Sequence, residues 1–549
     1  MCAQIADTQK FLGRVARILP DDRIDATETT RQRYGRSTFG NPRVPDAILY
    51  PVTTDEVAGI VKAANDTNTA VHAISRGKNW GYGDAGPVER GQVILDLSRM
   101  NQVLELNREL AYAVIQPGVS QGQLSQHLAE HAPDLWVDAT GAGVDASLVG
   151  NTLDHGFGHT RYGDHFLSCC GMEVVLPDGR VIHTGYGHYP NAKSDKVYPY
   201  GVGPMLDGLF VQSNMGIVTR INIWLMPKPE DFCSFVFMGH NDHDLEDIVN
   251  RLAPLRMQGL LQSAIHIGND LRIMSARMRY PFDQTQGITP LPEDVRADIR
   301  KQGMIGMWNG CGSVSGTKGT VRAVRKELAR VLKPYNVRFI NDQRLALAER
   351  IQKGLAMVGA GGWLGEMLGI FKPVYGLLKG EPSNEHIRGA AWRVRDPEPE
   401  LPADPLDVHA GIAWLSPVVP NRGEDARQLM NLMEPVYQKH GFDSLVTFTM
   451  ITERAMICIT NISFDKRIPE ECQRAQDCYE ELMKILMESG FIPYRSGPTG
   501  YAKLRLEGDP FWDVVNSIKQ TLDPNDTISP GRYVAPLDDK PSTQHRLAG

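Results

Sequence analysis

The sequence predicts an α+β protein of more than one domain, and three observations carry that reading. From Ile48 onward, short β-rich runs alternate with segments whose apolar residues recur at helical spacing. After Pro229 the texture shifts to strands and longer amphipathic helices, which continue to about residue 480. From about Phe491 the chain returns to glycine-rich loops. A length of 549 residues accommodates two to four domains. With 42% hydrophobic and 22% charged residues, the composition excludes a disordered, collagen-like or coiled-coil chain.

The elements follow in order. Residues 1–45 read as a short helical lead-in and a charged loop. AILYPVTT is a strand entering a turn, and DEVAGIVKAANDT is a helix with Asp55 near its start. AVHAIS, VILDLS and AYAVIQPGVS read as strands, and GQLSQHLAEH as a helix. The stretch from Asp138 to Asp164 is rich in Gly, Ser and Thr, and structureless segments of that length are usually functional. MEVVLPDGRVIHTG is a hairpin turning at Asp178-Gly179, and IVTRINIWLMP closes the first region at residue 227. KGTVRAVRKELARVLKPYN and PEECQRAQDCYEELMKILMESG are the clearest later helices. The Pro-rich run at 395–405 reads as a surface loop. Residues 355–378 are apolar, but Glu366, Lys372, Pro373 and glycines interrupt them, so a buried or interfacial helix pair is expected rather than a membrane span.

A net charge of −7 offers no general attraction for nucleic acid or an anionic membrane. The eight cysteines show no CxxC spacing and read as reduced thiols. The N-terminal run lacks an apolar secretory segment, and the expected location is cytoplasmic.

Four stretches can carry chemistry. RGKNWGYG (76–83) follows a strand; it serves either as an ordinary turn or as an amide-lined loop around a pyrophosphate. GNTLDHGFGHTRYGDH (150–165) has glycines that let backbone approach a flat ligand. Its His155, His159 and His165 lack metal-ligand spacing and read as loop histidines or cofactor contacts, so no metal is expected. In GLFVQSNMGIVTRINIWLMP, a loop at Ser213, Asn214 and Gly216 meets a strand that is either simply buried or lies along a heterocycle. Tyr494-Arg495 is either a surface pair or an anion site joining a phenol donor to a planar cation.

Together, in this order, the stretches RGKNWGYGDAGP, GNTLDHGFGHTRYGDH with GMEVVLPDGR, PYGVGPMLDGLFVQSNMGIVTRINIWLMP, IPYRS and DPNDTISPGR resemble the vanillyl-alcohol oxidase/para-cresol methylhydroxylase flavoproteins. Within them the resemblance is to 4-alkylphenol oxidases and hydroxylases, and it spans about Ile48 to Arg532. It implies an FAD-binding domain of two α+β subdomains over 1–227, an α/β cap over 228–480 and a C-terminal return to the FAD domain over 481–549. It implies FAD held by Arg76, Gly77, Lys78, Asn79 and Trp80 at the pyrophosphate. Ser147, Gly150, Asn151, Gly156 and Gly158 would lie along the flavin, with Gly216, Ile217, Val218 and Arg532 completing the site. Tyr82, Tyr162, Tyr494 and Arg495 would meet a phenol oxygen. A phenol titrates near pH 10 in water, and donors beside a fixed cation favour its anion. A phenolate then drives hydride loss from the para-side benzylic carbon, and the resulting quinone methide is hydrated, desaturated, carried to a carbonyl or decarboxylated. The resemblance also implies O2 or a cytochrome-type electron acceptor, and a homodimer or larger homo-oligomer.

Three departures from the family qualify this. Several members tether FAD through a histidine where this chain has Ile412; His409 lies an odd offset away, so FAD is expected to be non-covalent. The acid/base aspartate of vanillyl-alcohol oxidase has no counterpart in LWVDATGAGVDASLVGN; Asp138 and Asp145 flank the position, with Asp145 the candidate base or a loop cap. Ala455 and Met456 replace polar residues, which suggests a more apolar pocket. Two alternatives stand beside the phenol reading: an FAD enzyme acting on a hydroxy acid or polyol, and a catalytically silent flavin-binding protein.

Overall fold

The helix expected after Ile48 spans Thr54–Asn65, because the Thr53 side chain accepts from the Glu56 amide while Glu56 accepts from the Val52 amide (2.7 Å). It crosses between parallel strands of a four-stranded sheet whose order is β1 (Ile24–Asp25), β2 (Ile48–Leu49), β4 (Val93–Asp96), β3 (Val71–Ile74). The structure is a computed structural model that describes residues 2–536 except 358–359, 397, 399–402 and 507.

A second, antiparallel sheet comprises β5 (Val103–Asn107), β6 (Tyr112–Ile115), β8 (Cys169–Val175), β9 (Val181–His183) and β10 (Ile217–Trp224), in the order β5-β6-β10-β8-β9. A small ribbon of β7 (Leu135–Trp136) and β11 (Met226–Pro227) lies beside it. The β8–β9 hairpin turns at Asp178-Gly179 as expected, with Val175 opposite Val181.

The cap is an eight-stranded antiparallel sheet: β12 (Asp231–Gly239), β13 (Ile265–Asn269), β14 (Trp308–Gly316), β15 (Arg338–Ile340), β16 (Ala410–Leu415), β17 (Val418–Pro420), β18 (Leu445–Met450) and β19 (Ala455–Asp465). Its main order is β15-β12-β14-β13-β18-β19-β16. Alternation along each strand divides the residues. Ile265, Ile267, Val446, Phe448, Cys458, Ile462, Ala413 and Leu415 pack in one apolar core with the helices Asp244–Met257, Gly423–Lys439 and Pro469–Glu488. The intervening His266, Gly268, Thr447, Ile459, Asn461, Ile412 and Trp414 face a large cavity instead.

The structure departs from the sequence reading in three places. The charged loop before residue 45 contains a second helix, Glu28–Gly35. The long Gly/Ser/Thr stretch holds a short helix, Leu148–Leu153, capped by Ser147. The tail holds a full helix, Pro510–Leu522, started by the Asp509 side chain and by proline at its first position. The helix read over PEECQRAQDCYEELMKILMESG spans Pro469–Glu488 as expected, and its Leu482, Met483 and Leu486 lie in the cap core. The apolar 355–378 segment does form part of a helix pair, Asp342–Ala356 and Gly362–Leu377. Among the described residues no helix is long and apolar enough to cross a membrane. Cys169, Cys170, Cys233, Cys311, Cys458, Cys472 and Cys478 are free.

The tail closes the fold by returning to the first sheet. Val71 donates to the Thr527 carbonyl (2.9 Å), and Ser529 donates to that of Val71 (2.8 Å). Beneath this return lies fully buried Lys519, which donates to Asp523 (2.5 Å) and to the carbonyls of Asn214 (2.9 Å) and Ile528 (3.1 Å). Removing the ammonium leaves Asp523 as a buried, uncompensated charge. Lys519→Ala is therefore expected to cost about 3–5 kcal/mol in chemical denaturation, with Lys519→Ala/Asp523→Ala losing less than the sum of the single changes.

A second consequence concerns acid. Burial, helped by Arg532 and Arg43, drives the His72 imidazole down to about 3. The unfolded chain therefore binds a proton below about pH 6.5 that the folded chain refuses. Stability is full above that pH and falls as pH drops toward 3, by about 1.4 kcal/mol per pH unit for this group. His72→Gln should flatten the loss between pH 6.5 and 5 in denaturation curves; an unchanged slope contradicts this origin.

Candidate functional site

A cavity of about 580 Å³ runs between the first two sheets and the open face of the cap sheet. One end is built from the loop after β3. Gly77 turns there with φ +64, and Arg76 braces the loop by donating to the carbonyls of Asp145 (2.8 Å) and Gly118 (3.0 Å). Lys78 lies against Trp80 at 5.5 Å, and the buried Trp80 Nε1 has no partner among the described residues. Asn79 donates to Asp154 (3.3 Å), whose other oxygen accepts from Arg532 (2.6 Å). Ser147 caps the short helix by accepting from the Gly150 amide (3.0 Å), and a Cβ on Gly150 would come within 3.1 Å of Ser75 Oγ. Gly216, Ile217 and Val218 continue the wall.

The other end is assembled by the tail. Pro493 bridges Pro417, and the Tyr494 amide donates to the Ser416 carbonyl (3.1 Å), just past β16. That pairing sets Tyr494 and Arg495 beside Tyr82, whose hydroxyl lies 3.0 Å from Ser416 Oγ. The Arg495 guanidinium stands 4.0 Å above the Tyr82 ring centre and 5.3 Å from that of Tyr494. Gly81 (φ +77) is required here, because a Cβ would lie 2.2 Å from the Trp414 ring. Burial pushes the Tyr494 phenol well above its ordinary value, against the pull of Arg495. Burial opposes the Arg495 charge, but Tyr494, Tyr82 and Asp154 outweigh it and hold the guanidinium above its ordinary range. The Arg495 Nε is buried without a partner among the described residues. The result is a set of phenol donors around a fixed cation, a surface suited to an oxyanion.

Of the residues singled out in the sequence, Tyr82, Tyr494, Arg495, Arg76 to Trp80, Ser147, Gly150, Asn151, Gly216 to Val218 and Arg532 line this one cavity. Tyr162 does not: its ring stacks under Arg161 at 5.1 Å. Nor do Gly156 and Gly158, which act behind the wall. A Cβ on Gly156 would meet Asn151 Oδ1 at 2.2 Å, and one on Gly158 would meet Asp138 Oδ2 at 1.5 Å. These glycines make room for a buried chain in which His165 lies 2.7 Å from both Asn151 Oδ1 and Asp138 Oδ2. Asp145 pairs with Arg76 (3.3 Å) and does not line the cavity; neither does Asp138. The expected apolar contribution of Ala455 and Met456 is also absent: Met456 lies on the helix-packed face of β19, and Ile459 and Asn461 face the cavity.

Several lining residues were missed because they are isolated in sequence. His72, His266, Arg272, His386, Trp414 and Ser416 come together only through strand pairing and the helices packed on the sheets. Period-two alternation in β13 and β16 is the signal that could have found His266 and Trp414. Ile412 does line the cavity, whereas His409 does not.

The lining fits a dinucleotide flavin: an amide-rich loop with Lys78 and an unpartnered indole donor at one end, Arg532 along the wall, and a broad aromatic and aliphatic chamber beyond. A family model described as "FAD binding domain" matches residues 45–185. The chain is 32% identical to 1'-carboxy-chondrochloren decarboxylase of Chondromyces crocatus, over 96% of this chain and 97% of that protein. It is also 32% identical to the 4-cresol dehydrogenase [hydroxylating] flavoprotein subunit of Pseudomonas putida, over 89% of this chain and 87% of that one. A crystal structure of p-cresol methylhydroxylase with substrate bound superposes with a TM-score of 0.88 at 29% identity, covering 97% of this chain and 98% of the other. The chain belongs to the vanillyl-alcohol oxidase/para-cresol methylhydroxylase family of FAD-dependent oxidoreductases.

Proposed function

We propose that the protein oxidises para-substituted phenols, binding the phenol oxygen as its anion between Tyr82, Tyr494 and Arg495. The observation that carries this reading is the Arg495 guanidinium, half-buried beside two phenols and lining the same cavity. Tyr494, held protonated by burial, donates a hydrogen bond to the bound oxygen. Arg495 supplies the fixed charge that lowers the substrate's own titration toward neutral pH. Bound FAD supplies the hydride acceptor. Electron density from the phenolate leaves the ring para-side carbon able to release hydride, and the substrate becomes a quinone methide. Relatives named as a hydroxylating 4-cresol dehydrogenase and as a decarboxylase of a carboxylated compound support a phenolic substrate class whose later fate varies. A hydroxy acid or polyol offers nothing for the two phenols and the cation to stabilise.

The cofactor set of this reading is Arg76 to Trp80, Ser147, Gly150, Asn151, Gly216 to Val218 and Arg532. FAD is held without a covalent bond, since the wall position at 412 is an isoleucine with no nucleophilic atom. Acid or heat precipitation should release all yellow colour into the supernatant; a pellet that stays yellow contradicts this.

Arg495→Ala should slow anaerobic flavin bleaching by para-ethylphenol about a hundred- to a thousandfold while FAD stays bound. Tyr494→Phe should act in the same direction with a smaller effect. Unchanged bleaching in both variants overturns the site assignment, and bleaching by hydroxy acids but by no phenol overturns the substrate class.

A further inference from the structure

The proposed reaction releases a proton that the phenolate clamp does not take. Once the benzylic C–H bond has broken, with FAD as the group that would take both its electrons, two of the fates open to the quinone methide free a proton. Water attack forms a C–O bond and frees a proton from the water. Desaturation frees a proton from the next side-chain carbon. In either case the ring electrons return to the phenolate oxygen, and the freed proton needs an acceptor. O2 or another electron acceptor would supply the oxidant that returns the bound cofactor to its starting state.

Among the described residues lining the cavity, the carboxylates are Asp84 and Asp154, and both are engaged. Asp84 accepts from Ser37 (3.1 Å), the Thr38 amide (2.8 Å) and the Thr38 hydroxyl (2.9 Å). Asp154 is paired with Arg532. Cys311 is a thiol, pushed up to about 12 by burial.

Of the four imidazoles that line the cavity among the described residues, His72 lies against the tail, with Nδ1 3.0 Å from Ser529 Oγ, and the other three meet at one place. His266 on β13 stacks on His159 with ring centres 4.6 Å apart. His386, from the turn of helix at Glu385–Ala391, faces the loop that carries Gly141: a Cβ on Gly141 would lie 3.5 Å from His386 Cβ. The Nε2 atoms of His266 and His386 are buried and have no partner among the described residues. His159 Nδ1 lies 3.0 Å from the Ala139 carbonyl, which can only accept; the ring hydrogen therefore sits on Nδ1, and Nε2 of the neutral ring carries a lone pair. Among the described residues no group of three or more His, Cys, Asp or Glu side chains is arranged to hold a metal ion.

The position of this cluster follows from the sheet. Ser416, at the clamp, follows β16, while His266 lies on β13, and β19 and β18 stand between them. Three strand spacings put about 14 Å between the two strands. A phenol held at the clamp by its oxygen falls short of that span, so its para substituent and an attacking water occupy the space between clamp and imidazoles.

We propose that His159, His266 and His386 form the proton-accepting wall of the cavity, taking the proton released by water or by the second side-chain carbon. This rests on the phenol reading above. The surroundings suit the role. Burial lowers all three imidazoles, to about 4 for His386, and repulsion from His159 deepens the effect on His266 and His386. Asp138 and the Ala139 carbonyl pull His159 upward, and His165 opposes them. Cys311 and Thr449 flank His266 in register on the neighbouring strands, and the Pro373 carbonyl accepts from His386. The wall is therefore neutral at pH 7, and the first proton it takes discourages a second.

The test uses holoenzyme, anaerobically, with para-ethylphenol. Flavin bleaching reports hydride loss; decay of quinone methide absorbance, with the yield of alcohol and alkene, reports proton transfer. In His159→Gln/His266→Gln/His386→Gln, bleaching should persist while quinone methide decay slows about a hundredfold. In the unaltered enzyme, decay should slow as pH falls toward about 4, where His386 takes a proton, and the triple variant should lose that dependence. Bleaching followed by unaltered decay and an unaltered pH profile overturns the proton wall alone. Absence of bleaching by any phenol in the unaltered enzyme overturns the phenol reading and this proposal with it. If the triple variant does not fold, His386→Ala serves: slowed decay restored by added imidazole supports the wall, and unslowed decay counts against it.

Discussion

A β-strand offers only every second side chain to a given face, and the working cavity of this protein depends on that constraint. The cap sheet places its large apolar residues toward the helices and its mixed polar set toward the two N-terminal sheets. Both faces must be satisfied at once. A one-residue slip in β13 would exchange His266 and Gly268 for Ile265 and Ile267, opening the apolar core and closing the cavity together. The chemistry of the site is thus locked to the same register that stabilises the cap.

The tail completes what the sheet begins. The backbone bond from Tyr494 to Ser416 fixes two phenols and a guanidinium at the end of β16; the same tail pairs with Val71 of the first sheet, and the Lys519 network ties it to the loop before β10. Neither the cap nor the N-terminal unit holds the clamp alone. The electrostatics along the cavity follow from this assembly: a cation with donors where the proposed phenol oxygen would lie, and neutral imidazoles at the other end. On the proposed reading, charge is fixed where an anion forms and withheld where a proton is received.

Much of this was legible in the sequence. The helix at 54–65 carries its own cap, the β8–β9 hairpin its own turn, and the loop at 76–83, the Tyr-Arg pair and the loop at 213–216 sit in motifs with recognisable spacing. What could not be read was long-range. The helix Pro510–Leu522 lay hidden between glycine-rich loops, although Asp509 and Pro510 mark its start. Gly156, Gly158 and Tyr162 belong to a cofactor-like motif, yet the glycines relieve clashes behind the wall and the tyrosine stacks on an arginine outside it. His266 and His386 carry no local signature. Their role emerges only where strand order, a helical turn and a loop from the N-terminal unit converge.

The central claim is that Tyr82, Tyr494 and Arg495 hold a phenol as its anion. The most direct measurement is ultraviolet difference spectroscopy of the FAD-bound protein titrated at pH 7 with para-bromophenol, which has no benzylic hydrogen to lose. The account predicts a saturable phenolate band, shifted or lost in Arg495→Ala. Binding with the spectrum of the neutral phenol, or a phenolate band unaffected by removing Arg495, would contradict it.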